Sequence, residues 1–258
     1  MRQSHIEKPP SPAAVWSARL GSFGVIVALL AALLAHFRVI DPLIGLVILA
    51  AGAIFALLAL LLSAAAAVAI WRSGCKGTAM ALAGLGLSAM VLAYPAYLAA
   101  RAVRLPLLND VSTDIADPPE FARSAKALAA RGATTPGEVA PATRRAQVAA
   151  YPGVQPKVID AEGDEAFQLV LKTVAARGWR IVDQTAPGGR SGLGHIDAVD
   201  RTPIMAFPDD ITIRLRPLPG QMRIDLRSAS RYGRHDFGTN ARRIEAFMAE
   251  LQAQVDAQ

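Results

Sequence analysis

Hydrophobic and polar positions fall into two regimes along this chain. From Leu20 to Ala100 apolar residues dominate in three stretches, Leu20 to Phe37, Leu43 to Ile70 and Gly77 to Ala100, divided by short polar breaks. A helix rises about 1.5 Å per residue and needs about 20 apolar residues to cross ~30 Å of hydrocarbon, so the pattern predicts three membrane spans. None of the stretches holds Asp, Glu, Lys or Arg, and His36 stands at the end of the first. Ionisable groups inside a bilayer are costly and mark proton or ion paths, so the block reads as an anchor and not as a transporter or pump. Gly52 and Ala56, Ala79 and Ala83, and Gly84 and Ser88 place small residues four apart, which predicts close helix packing within the chain or across a homo-oligomer. Pro95 predicts a kink or stop in the third span.

The second regime begins after Arg104. Residues 105–156 carry few large apolar side chains and read as an extended stalk or wrapping segment. Asp117-Pro118-Pro119 predicts a short helix capped by Asp117 and stopped at Gly132, and another follows Pro141 and ends before Tyr151. From Lys157 the chain has the makings of a core. Phe167, Val170, Leu171 and Val174 recur at helical spacing before Gly178. Trp179 to Asp183 and Ile196 to Val199 read as strands. Ile211, Ile213 and Leu215, then Met222, Ile224 and Leu226, alternate with polar residues on both sides of Pro217-Leu218-Pro219-Gly220, which predicts a hairpin with one dry and one wet face. A four-residue loop there would set Arg214 opposite Arg223. Ile244, Phe247, Met248 and Leu251 mark a closing helix. The expected fold is therefore a membrane protein with three transmembrane helices followed by an α+β domain, its antiparallel sheet covered by helices on one face. Its parts are a flexible cytoplasmic tail (1–19), the anchor (20–104), the stalk or wrap (105–156) and the α+β domain (157–258).

Charge changes the picture of the partner. The formal net charge is +6. Eight basic residues, Arg2, Lys8, Arg19, Arg38, Arg72, Lys76, Arg101 and Arg104, precede residue 108 against Glu7 and Asp41 only. The remainder balances, so the excess flanks the membrane spans and a nucleic-acid partner loses its support. Arg2, Lys8, Arg19, Arg72 and Lys76 lie on one side of the bilayer and Arg38, Arg101 and Arg104 on the other, which puts the tail in the cytoplasm and the C-terminal domain outside. Localisation to a bacterial inner membrane follows. Cys75 is the one cysteine, so no intramolecular disulfide supports the fold, and beside a membrane it reads as inert.

Candidate chemistry concentrates in basic residues. Arg214, Arg216 and Arg223 form a basic face on the hairpin, balanced by Asp197, Asp209, Asp210 and Asp225 or by a bound anion. Arg227, Arg231, Arg234, Asn240, Arg242 and Arg243 surround a loop that runs into a helix N-terminus, a setting suited to phosphate or carboxylate. Thr239 or Asn240 would cap that helix. His195 and His235 lack ligand spacing, so no metal is expected, and no motif implies a cofactor or a catalytic residue. Asp209-Asp210 reads as the end of a turn.

The segments Asn109 to Asp114 with Asp117-Pro118-Pro119, Asp209 to Arg214, and Asp225 to Arg231 through Asn240 to Ile244 occur in an order that resembles the family called domain of unknown function 1499, over about residues 109–251. It is similar to members with an N-terminal membrane anchor. The resemblance implies a domain boundary and carries over no functional residues. The leading expectation is a domain that binds an anionic ligand or an envelope partner without catalysis. The alternatives are a hydrolase-like enzyme on an anionic envelope substrate and a scaffold for another membrane protein.

Overall fold

A computed structural model describes residues 9–132, 135–188 and 192–257. The chain forms two units, residues 1–100 together with Pro203–Ala206, and residues 101–202 with 207–258.

The first unit contains three long helices, α1 (Pro12–His36), α2 (Pro42–Ser73) and α3 (Thr78–Arg104). All three are long and apolar enough to cross a membrane. Two differences from the sequence pattern stand out. α1 begins at Pro12, so residues 12–19 are helical and not part of a flexible tail; Pro at the first turn loses no hydrogen bond there. Residues 1–8 lie outside the described part. α3 runs through Pro95 to Arg104 without stopping, since a helix broken inside a bilayer would leave still more backbone groups without partners. α2 is capped by Asp41, which accepts from Leu43 N at 2.8 Å, and ends at Gly74 with φ 64°.

Packing in this unit is inverted relative to a water-soluble bundle. The buried positions are Ala14, Ser17, Gly21, Gly24, Ala31 and Ala35 on α1 and Gly45, Gly52, Ala56, Ala59, Ser63 and Ala66 on α2. Ile26, Leu30, Val47, Ile54 and Leu61 point outward. With lipid as solvent there is no hydrophobic drive to hide leucine, and close approach of backbones takes over as the stabilising term. A Cβ on Gly52 would stand 3.2 Å from Ala28 N, and one on Gly84 would stand 2.6 Å from Ser17 Oγ.

The second unit is built on an antiparallel sheet in the order β1-β6-β5-β4-β3, formed by β1 (Asp110–Ser112), β3 (Arg180–Thr185), β4 (Gly194–Arg201), β5 (Pro208–Leu218) and β6 (Gln221–Ser230), with β2 (Lys157–Ile159) also paired to β6. Ile196, Ala198, Ile211, Ile213, Leu215, Met222, Ile224 and Leu226 form its apolar face. Over it lie α6 (Gly163–Ala176), contributing Phe167, Val170 and Val174, and α7 (Thr239–Asp256), contributing Ile244, Phe247 and Leu251. Trp179 stacks on Phe247 with ring centroids 5.1 Å apart.

The hairpin differs from expectation in register. Leu218 pairs with Gln221, so the loop is Pro219-Gly220 alone, with Gly220 at φ 71° supplying the left-handed turn residue. That shortening sets Arg214 opposite Asp225, not Arg223, and leaves Arg216 facing Arg223.

The segment after α3 is also more than a stalk. It supplies β1, then crosses the polar face of the sheet, and contains α4 (Ala125–Arg131) and α5 (Pro141–Ala150). α4 is capped by Ser124, which accepts from Ala127 N at 3.1 Å, not by Asp117, and it stops at Gly132 with φ 70°. Gln147 on α5 seals the outer edge of β1. Its amide donates to Ser112 O at 2.7 Å and accepts from Ser112 N at 3.1 Å, as a neighbouring strand would. The face expected to be wet is therefore covered: Asp197, Thr212 and Asp225 are fully buried, and Arg227 nearly so.

Candidate functional site

The arginines singled out by sequence fall into three groups, and most of them are held by carboxylates that are distant in the chain. On the covered face, Arg214 donates to Asp225 at 2.9 Å and to Asp117 at 2.9 Å, with Asp114 at 3.4 Å. Arg216 reaches Asp117 at 2.7 Å, and Arg223 bridges Asp225 at 2.9 Å and Asp114 at 2.8 Å. The facing pair Arg216 and Arg223 is thus compensated by the lead-in segment. Burial alone would raise the Asp117 carboxyl, but the charges and hydrogen bonds of Arg214 and Arg216 hold it below the ordinary value.

The second group lies at the end of β6 and the start of α7, on the apolar side. Arg243 is clamped by Asp209 at 2.6 Å and Asp200 at 2.7 Å, and it also donates to Ser228 Oγ and Asn240 Oδ1. Asn240 donates to Asn109 O and Ser230 Oγ. The N-cap of α7 is Gly238, not Thr239 or Asn240, and the Asp236 carboxylate two residues earlier accepts from Gly238 N and Asn240 N at 2.8 Å each. Arg234 and Arg242 remain exposed, Arg242 with a 3.4 Å contact to Thr239 Oγ1.

The third group is an ionic chain on the covered face. Arg227 forks onto Asp110 at 2.7 Å and donates to Gly137 O at 2.6 Å; Arg231 forks onto Asp210 at 3.0 and 2.7 Å. Between them sits Arg131 of α4, paired with the buried Asp197 and 3.6 Å from Asp210. The guanidinium groups of Arg131 and Arg227 both lie over the Phe121 ring, at 5.1 and 5.2 Å. At the far end, His195 Nε2 lies 2.8 Å from Asp197 Oδ1. Burial pushes the His195 imidazole below its ordinary value, and Arg131 adds to that against the pull of Asp183.

Beside this chain a cleft of about 470 Å³ opens along the β1 and β6 end of the sheet. Asn109, Asp110, Asp210, Ser230 and Arg231 form one side, and the 135–143 segment, with Thr135, Glu138 and Thr143, forms the other. Its size is in the range of small-ligand sites. Of the arginines expected to bind an anion, only Arg231 lines this cleft, and it arrives already paired with Asp210. With Asp110, Asp210 and Glu138 against Arg231, the lining carries more negative than positive groups, alongside amide and hydroxyl groups that both donate and accept.

Sequence reasoning missed Arg131, Asp110, Glu138 and Gln147. No local signal marks them: Asp110 and Arg227 are 117 positions apart, Arg131 and Asp197 66 and Gln147 and Ser112 35, and Glu138 enters only as lining of the cleft. Among the described residues there is no cluster of His, Cys, Asp and Glu that could hold a metal ion.

Three apolar helices joined to an α+β domain with a covered polar face define a membrane-anchored protein with one extramembrane domain. The family model described as "Protein of unknown function (DUF1499)" matches residues 110–251, and the chain belongs to that family. The match begins at β1, in agreement with a domain that includes the lead-in segment. No curated protein and no solved structure matches the chain.

Proposed function

We propose that this is a binding protein of the bacterial inner membrane, whose extramembrane domain holds a ligand or envelope partner in the β1 and β6 cleft without catalysing a reaction on it. The observation that carries this reading is the cleft itself: about 470 Å³, lined by Asn109, Asp110, Glu138, Ser230 and Arg231 among others. An anion would have to compete with Asp210 for Arg231, whereas a neutral ligand rich in hydroxyl and amide groups meets both donors and acceptors without displacing an ion pair. The geometry therefore favours a neutral hydrogen-bonding ligand, such as an envelope saccharide fragment, over a bare anion.

Titration of the full-length protein in nanodiscs is the test. Neutral saccharide fragments should raise the melting temperature, Thr143→Trp should abolish the shift by filling the cleft, and inorganic phosphate should do little. A shift produced by phosphate and lost in Arg231→Ala would make the site an anion receptor instead. A saccharide shift that survives Thr143→Trp would remove the cleft from consideration. Five basic residues beside one set of helix ends and three beside the other support a cytoplasmic N-terminus and an external domain. A reporter active only in the cytoplasm should be silent when fused after Gln258; activity there would reverse the orientation.

A further inference from the structure

The connection from β4 to β5 is chemically unlike the other connections of the sheet. From Pro203 to Pro208 it reads Pro-Ile-Met-Ala-Phe-Pro, with no charged or hydrogen-bonding side chain. It is nonetheless a built loop. Thr202 N donates to Phe207 O at 2.9 Å, Phe207 N donates to Thr202 Oγ1 at 3.0 Å, and Ala206 takes φ 52° to close the turn.

Residues 203–206 group with the helical unit, and there they have specific neighbours. His36 Nδ1, at the end of α1, lies 2.9 Å from Pro203 O. Met205 is buried, with its Cε 3.0 Å from the position of a Cβ on Gly45, so the glycine of α2 makes room for it. Pro203 and Ile204 remain exposed, as do Phe37 and Val39 in the connection between α1 and α2, at 70% and 68%. These side chains form an apolar surface at one end of a membrane-spanning helix pair, where the adjoining medium is the bilayer boundary and not bulk water.

Span counting agrees with that setting. With three crossings, the α1 to α2 connection and everything after α3 share one side of the bilayer, whichever side that is.

We infer that the Pro203–Ala206 loop is a fourth membrane contact of this chain, seating Pro203 and Ile204 at the acyl boundary of a phospholipid bilayer beside the end of α1.

The test uses the full-length protein in nanodiscs, with Cys75→Ser as background. An environment-sensitive fluorophore is placed on Ile204→Cys and, for comparison, on Leu218→Cys, an exposed apolar position next to the β5 to β6 turn. Lipids brominated at shallow acyl positions should quench the label at residue 204 several-fold more than the label at 218, and its emission should be blue-shifted. Equal quenching at the two positions overturns the proposal. Pro203→Cys, the other exposed residue of the loop, gives the same reading with the same two outcomes should the first variant fail to fold.

Discussion

The buried carboxylates on the covered face of the sheet are explained by the groups that surround them. Asp225 is fully buried and is tolerated because Arg214 and Arg223 both donate to it. Asp197, equally buried, has Arg131, Ala122 N and His195 around it. His195 has a measurable consequence. Its imidazole titrates below the ordinary value because burial, aided by Arg131, disfavours the charged form more than Asp183 favours it. The unfolded chain then takes up the proton first as pH falls, so the stability that His195 contributes is fully present above about pH 6.5 and declines as pH drops from there toward the folded value. Urea denaturation of the wild type should show this decline between neutral pH and the carboxylate range, and His195→Gln should flatten it. A histidine variant with an unchanged slope would assign the decline to other groups. The alternation of Arg214, Arg216, Arg223 and Arg227 is plain in the sequence. Asp225 was legible there as one balancing carboxylate, but Asp110, Asp114 and Asp117 were not, because those pairs form across distances in the chain that no local pattern records.

At the scale of elements, periodicity was legible wherever a single medium faced each side of an element. The hairpin, α6 and α7 follow from period two and period 3.6 against one apolar core. The two-residue turn was not legible, because Pro217 and Leu218 carry no signal separating a strand end from a loop; pairing with Met222 and Gln221 decides it. In the membrane helices the spacing of small residues was legible, and the pairing of particular helices was decided by fit. Gly84 faces Ser17, with a Cβ there 2.6 Å from Oγ, whereas Gly86 has nothing within 4 Å. Gly84→Leu should therefore lower the thermal stability of the helical unit, by an overpacking cost of about 1–3 kcal/mol, and Gly86→Leu should leave it nearly unchanged. Comparable losses from the two variants would mean that α3 does not pack through Gly84.

For the whole molecule, the lead-in segment has the largest effect on how the domain is defined. A fragment beginning at Lys157 contains every strand-forming run that the sequence advertises, yet it lacks β1, α4 and α5. It would expose Asp197, Arg223 and Arg227 without Arg131, Asp114 or Asp110 to hold them, and would leave β6 with an open edge. Such a fragment should be insoluble or unfolded by circular dichroism, while one beginning at Leu105 should unfold in a single cooperative transition. A cooperative transition in the shorter fragment would reduce the lead-in segment to a dispensable wrap.

The sequence by itself determined that this protein lives in a membrane, that three helices anchor it, that an antiparallel sheet with two covering helices follows, and, through separated motifs, which family the domain belongs to. These are consequences of apolar run length and local period, which neighbouring residues carry between them. Only the tertiary structure decided that the second face of the sheet is roofed by residues 113–132 and 135–140, that most of the arginines are already spent on internal carboxylates, and that a polar cleft opens beside β1 and β6. The physical reason is that electrostatic and hydrogen-bond partnership depends on distance in space, and in this fold the partners of a charge on β6 come from a segment about a hundred residues away, as Arg223 and Asp114 do at a separation of 109.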